Sequence, residues 1–178
     1  MILCQLTGCK NINEPLDRVI ELRDSILTGN GCKFNTVISA DYEDSVHVFK
    51  MDCQFDADGN MTFTVTEPDT IAGITGQISD DQAGITFDDY VLAFEQLSDG
   101  LISPVSSPWV FIKTLRSGYI RGCTVEGGQL EVMIDDTYET ETLQLNILLD
   151  EYDFPRMAEI FWQGRRMVTL EINDFSCL

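Results

Sequence analysis

Any histidine chemistry in this chain must use His47, because its 178 residues contain no other. His47 lies between Val46 and Val48 at the start of a predicted strand. A His-rich zinc site is therefore excluded. A Ser–His–Asp triad would have to use His47, and no Gly-x-Ser-x-Gly elbow accompanies it. Carboxylates are abundant, with 30 Asp and Glu. General acid–base work needs two of them in one cleft with separated pKa values. The adjacent pairs Asp88-Asp89 and Asp135-Asp136 sit at predicted strand ends, as solvated turns do. Asp56-Ala57-Asp58-Gly59-Asn60, with Glu67 further on, has the acidic spacing of a calcium loop. Position six of such a loop needs glycine for its sharp bend, and this chain has Met61 there. A plain hairpin turn is the better reading. No metal, cofactor or catalytic residue is nominated, and the chain is expected not to be an enzyme.

Cysteine carries the more specific signal. Leu6-Thr7-Gly8-Cys9 looks like a bacterial lipobox. In that motif small residues before the cut fit the signal peptidase, and the cysteine thiol carries a diacylglycerol. Only Met1–Gln5 precede it, without a basic n-region or a full apolar h-region. The leader is therefore expected to start upstream of Met1 or to have been trimmed. The alternative is a free thiol at Cys9 in a disordered tail. Two acyl chains on Cys9 would hold the domain stably at the outer side of the cytoplasmic membrane. Cys32, Cys53, Cys123 and Cys177 then remain, and four cysteines allow three pairings. In a hairpin centred on Glu43-Asp44, Cys32 and Cys53 come within about two residues of facing each other. Cys32–Cys53 is the expected bridge if one forms, ahead of Cys123–Cys177. Free buried thiols remain an equal alternative.

The elements that would position such groups follow from periodicity. Tyr119–Phe175 reads as five successive strands, with a Gly127-Gly128 hairpin turn between the first two. Leu143, Leu145, Ile147 and Leu149 alternate with polar residues at strand period two. In Pro155–Gln163, Ala158, Ile160 and Trp162 point one way and Met157 and Phe161 the other. A strand apolar on both sides needs a cover on each face. Upstream, Asn13 caps a predicted helix over Glu14–Thr28, with Leu16, Val19, Ile20, Ile26 and Leu27 as its apolar stripe. Strands are predicted at Phe34–Asp41, Val46–Phe55, Met61–Glu67, Ile71–Ser79 and Gly84–Asp88. The middle is read as two short helices, Asp89–Ser98 and Pro108–Arg116, with Ser107 as the second one's cap.

Length and composition fit one globular domain. Residues 1–13 are expected to form a truncated lipoprotein signal and tether, and residues 14–178 a single domain. A chain this long buries about 70% of its unfolded surface without staples. Thirty acidic residues against 11 basic give a net charge of −19. That charge argues against nucleic acid or an anionic membrane surface as a direct partner. No run of 18 apolar residues is present to span a bilayer.

One helix, about five strands, a helical middle and a five-strand meander, preceded by Leu6–Cys9, resembles the bacterial lipoprotein-carrier family. The likeness covers residues 14–175 by element order. It implies an α+β fold: a curved antiparallel sheet, an incomplete β-barrel of about ten strands. The N-terminal helix and a short helical insertion would cover its concave face. It also implies an apolar ligand, a lipid or acyl chain, in that concavity. Phe94, Trp109, Phe111, Ile112, Ile160, Phe161 and Trp162 would line it. Taken singly, each of these also reads as ordinary core. The function expected from the resemblance is an extracytoplasmic, membrane-anchored lipid-binding protein. The rivals are a surface interaction module with a filled core and a carboxylate-based envelope hydrolase.

Overall fold

The structure is a computed structural model that describes residues 14–79, 83–87, 90–91 and 103–178. The Leu6–Cys9 motif and Phe94 lie outside the described residues. Helix α1 (Glu14–Thr28) is followed by strands β1 (Gly31–Asp41), β2 (Val46–Asp56), β3 (Met61–Glu67) and β4 (Thr75–Ile78). Next come β5 (Ala83–Phe87) and β6 (Tyr90–Val91). A 3-10 turn at Pro104–Ser106 leads into helix α2 (Ser107–Ser117). The chain closes with β7 (Tyr119–Glu126), β8 (Gln129–Asp135), β9 (Leu143–Leu149), β10 (Pro155–Trp162) and β11 (Arg165–Cys177).

All eleven strands form one antiparallel sheet in the order β6-β5-β4-β3-β2-β1-β11-β10-β9-β8-β7. The two edges, β6 and β7, do not pair with each other among the described residues, so the barrel is incomplete. Each half is a meander of sequential neighbours. One long-range pairing, β1 with β11, joins the halves at the centre.

Strand alternation places the core on one face. In β1, Phe34, Thr36, Ile38 and Ala40 are buried; in β9, Leu143, Leu145, Ile147 and Leu149 are. Both helices lie against this inner face. Helix α1 presents Val19, Leu22 and Ile26, spaced three and four residues apart on one line. Ile20 and Leu27, placed in the stripe by sequence, are nearly half exposed because they lie about 100° round the helix from that line. Arg23 ties the helices together. Its Nε donates to the Leu115 carbonyl at 2.7 Å and its Nη2 to the Gly118 carbonyl at 3.0 Å, at the C-terminal end of α2.

Local turns explain several boundaries. Asp56 accepts the Asn60 backbone N–H at 2.8 Å and the Asn60 amide at 3.0 Å, closing the β2–β3 hairpin. Burial alone would raise the Asp56 carboxyl, but these bonds and the Asp58 and Gly59 N–H groups outweigh it and hold it below its ordinary value. The carboxylate of the calcium-like run thus organises a turn. Gly31 takes φ 112°, and a Cβ there would lie 1.8 Å from the Phe55 carbonyl oxygen. The predicted strand Ile71–Ser79 starts only at Thr75, because Ile71 and Ala72 donate to the Pro68 carbonyl in a turn. The predicted helix Asp89–Ser98 is corrected at its start. Tyr90 and Val91 form β6 and pair with Phe87 and Thr86, since ladder bonds to β5 fix them extended.

Candidate functional site

The concave face is built from alternate residues of strands β1–β3 and β8–β11, with α2 as its central cover. Ser107, expected as the cap of α2, is instead its first residue, and the N-cap is Ser106, which makes no side-chain cap bond to α2. Ser103 and Ser106 form a capping box around the 3-10 turn, and the Ser107 hydroxyl donates to the Pro104 carbonyl at 2.6 Å. The helix then drives Phe111, Ile112 and Leu115 into the sheet, where each is buried. Phe111 meets Phe34 edge to face, with ring centroids 5.9 Å apart. Phe34 in turn stacks on Phe175 of β11 at 5.8 Å.

Two polar groups interrupt this apolar wall. The Thr36 hydroxyl in β1 and the Trp162 indole N–H in β10 are buried on the inner side, and neither has a hydrogen-bond partner. Buried donors are nearly always partnered, so each is a reason to ask what else fits there. Thr36 was missed in the sequence. Its signal was a lone hydroxyl in the buried series Phe34, Ile38, Ala40.

At one rim of the concavity, α2 meets the β2–β3 turn. A pocket of about 250 Å³ is lined there by Leu27, Phe55, Asp58, Trp109, Lys113 and Arg116, among others. The Trp109 indole N–H donates to the Gly59 carbonyl at 3.1 Å. Lys113 Nζ stands 4.5 Å from the centre of the Trp109 ring, and the Arg116 guanidinium 5.3 Å from that of Phe55. On the outer face of β1–β4 an open trough of about 880 Å³ is mixed in character, with Lys33, Asn35, Asp52, Gln54, Thr62 and Phe63 in its lining.

The residues read from sequence as a ligand lining are thus divided. Phe111, Ile112, Ile160 and Trp162 converge on the inner face, all buried. Trp109 is half-buried at the rim. Phe161 lies on the outer side, beside Arg121, Met133, Gln144 and Asn146 in a pocket of about 260 Å³. Phe94 lies outside the described residues. Cys32, Cys53, Cys123 and Cys177 are free thiols. Cys32 faces Phe55 across β1–β2, and Cys53 faces Phe34, so these two thiols are diagonal to one another. Burial raises both above the ordinary thiol value, Cys32 to about 12. Cys123 is on edge strand β7, with β8, β9 and β10 between it and Cys177 on β11.

Charged groups elsewhere stabilise turns. The Glu43 backbone N–H, with Arg165 adding to it, holds the Asp41 carboxyl below its ordinary value. Asp41 and Asp56 are both displaced downward, opposite to the shift a general acid needs. His47 is exposed, with Nε2 3.1 Å from the Ser45 hydroxyl and its ring against Tyr42. Among the described residues no cluster of three metal-ligating side chains occurs, and no helix is long and apolar enough to cross a membrane.

No family model and no curated protein matches the chain. Among solved structures it is similar to a LolA superfamily protein of Nitrosomonas europaea, at 10% identity over 91% of this chain and 92% of that one, TM-score 0.46. It is similar to a structure from Vibrio parahaemolyticus described as an outer membrane lipoprotein-sorting protein domain, at 11% identity over 89% and 90%, TM-score 0.44. LprF of Mycobacterium bovis is similar at 8% identity over 91% and 92%, TM-score 0.45.

Proposed function

We propose that this protein binds an ester-bearing lipid against the concave face of its open sheet, outside the cytoplasmic membrane and anchored through Cys9. It carries or shields the lipid and does not transform it. The observation that supports this is the pair of unpartnered buried groups, Thr36 and Trp162, on an otherwise apolar wall. An ester or amide carbonyl of a lipid is an acceptor for either one, and its acyl chain suits the surface around them.

The inner face is packed, so a lipid must displace part of its cover. Helix α2 is the candidate, being 11 residues long. Swinging it away exposes Phe111, Ile112 and Leu115, at a cost of about 2 kcal/mol each or about 6 in all. Burying a 14-carbon acyl chain returns about 0.8 kcal/mol per methylene, or about 11. One chain is enough to exchange with the helix. The packed interior equally suits the second reading, an interaction module that holds no ligand.

The two tryptophans separate these readings. Nitrogen-15 spectra of the labelled protein resolve two indole N–H signals, one from Trp109 bonded to Gly59 and one from Trp162 without a partner. Titration with a short-chain phosphatidylcholine, whose headgroup is neutral overall, below its micelle concentration should shift the Trp162 signal downfield. The Trp109 signal should move with it as α2 leaves the sheet. A shift of Trp109 alone, or of neither, refutes the carrier reading.

A further inference from the structure

Register pairs Cys32 at the start of β1 directly with Cys177 at the end of β11. Facing residues of an antiparallel pair point to the same side of the sheet. The hydrogen bond from Leu178 N–H to the Gly31 carbonyl, 2.9 Å, brackets the couple and makes it a non-hydrogen-bonded pair. Cα atoms in such a pair are about 4.5 Å apart, within the spacing of about 4.4–6.8 Å that a disulfide spans. Cys32 and Cys53 are diagonal neighbours at roughly 7–8 Å, at or beyond that limit.

We propose that Cys32 and Cys177 form a disulfide that locks the two halves of the sheet at their central seam. The site has one accessible and one protected thiol. Cys177 is partly exposed, with its Sγ 3.4 Å from the Ser25 hydroxyl of α1, whereas Cys32 is completely buried. The oxidant is an exposed disulfide of the thiol–disulfide exchange class. The Cys177 thiolate attacks it, forming a mixed disulfide and releasing one thiolate. Cys177 then turns about χ1 away from Ser25, and the Cys32 thiolate attacks its sulfur and expels the second thiolate. The two protons from Cys32 and Cys177 end on the reduced oxidant. Burial and the neighbouring Cys177 hold the Cys32 thiol up at about 12, so Cys32 is the slow partner and Cys177 the point of entry. The bond encloses most of the chain in one loop, anchored where α1 hands over to β1: Asn30 N–H donates to the Leu178 carbonyl at 2.8 Å. This inference is independent of the lipid reading, since it requires only an oxidising compartment.

The test treats the purified chain with glutathione disulfide, blocks remaining thiols under denaturing conditions and maps peptides without reduction. One linked pair, Cys32 with Cys177, is expected, with Cys53 and Cys123 blocked as free thiols. Reduction should then lower the melting temperature by roughly 10 °C, and C177S should remove that difference while still folding. A Cys32–Cys53 link, or Cys32 and Cys177 both blocked as free thiols after oxidation, overturns the proposal. So does a melting temperature that reduction leaves unchanged in the linked protein.

Discussion

Thr36→Val asks what the hydroxyl on the inner wall is doing. Thr36 is 2% exposed, lies opposite Met51 and Ile172, and has an Oγ1 without a hydrogen-bond partner. Valine has nearly the same shape, the same β-branching and the same suitability for a strand. The substitution therefore leaves no cavity. An unpartnered buried hydroxyl carries a desolvation penalty of about 1–3 kcal/mol, which valine removes. We expect T36V to be more stable by about 1 kcal/mol. In a protein this size that is a rise of about 2–4 °C in melting temperature. The assay is urea unfolding followed by tryptophan fluorescence, with the midpoint rising and the slope unchanged. The same variant should bind the short-chain phosphatidylcholine less tightly, since the ligand's carbonyl loses a donor. A loss of stability of 0.5 kcal/mol or more, by the scale of a typical net hydrogen bond, would show that the hydroxyl is satisfied in the empty protein. Unchanged lipid affinity in a stabilised T36V would remove Thr36 from the site and leave Trp162 alone in it.

Two further expectations concern the frame that holds α2. Arg23→Met keeps the apolar stem but strips two donors from the Leu115 and Gly118 carbonyls; burial already holds Arg23 below its ordinary value. A loss of about 1–3 kcal/mol in chemical unfolding is expected, with faster hydrogen exchange in 107–117 than in β1; uniform acceleration would show that Arg23 does not act through the helix end. Asp56→Asn tests the β2–β3 turn through pH. The folded carboxyl titrates below its ordinary value, so the unfolded chain binds more protons and stability rises with pH. The Asp56 contribution is complete above about pH 4 and is lost as pH falls through the lowered folded value. The wild-type advantage over D56N should accordingly be present at pH 6 and shrink below pH 4, and a gap that stays constant with pH would contradict this.

The charge-pattern and motif readings had different fates for a common reason. Asp56-Ala57-Asp58-Gly59-Asn60 could be read as a turn from residues a few positions apart, and a turn is what its hydrogen bonds make. Two-residue alternation similarly revealed β1, β2, β3 and the five strands after Tyr119, because a strand's faces are set by its own backbone. Errors arose where a partner decided the outcome. Tyr90 and Val91 had a helical look alone but are held extended by β5. Phe161 is different: two-residue alternation already set it opposite Trp162, and only its place in the lining expected from the resemblance departed from that, since it lies beside Arg121 and Met133 on the outer side.

By itself, then, the sequence determined the long elements, the buried side of each long strand, the net charge of −19 and the candidate lipid-attachment motif at Leu6–Cys9. These depend on periods of two and three to four residues and on turn chemistry, which are local. Only the tertiary structure decided that β1 lies against β11, that Cys177 rather than Cys53 faces Cys32, and that Phe111 of α2 packs on Phe34 of the inner wall. Each of these joins segments far apart in the chain. Such pairings are selected by the burial of whole faces against each other, a property of the assembled sheet that no stretch of the chain carries alone.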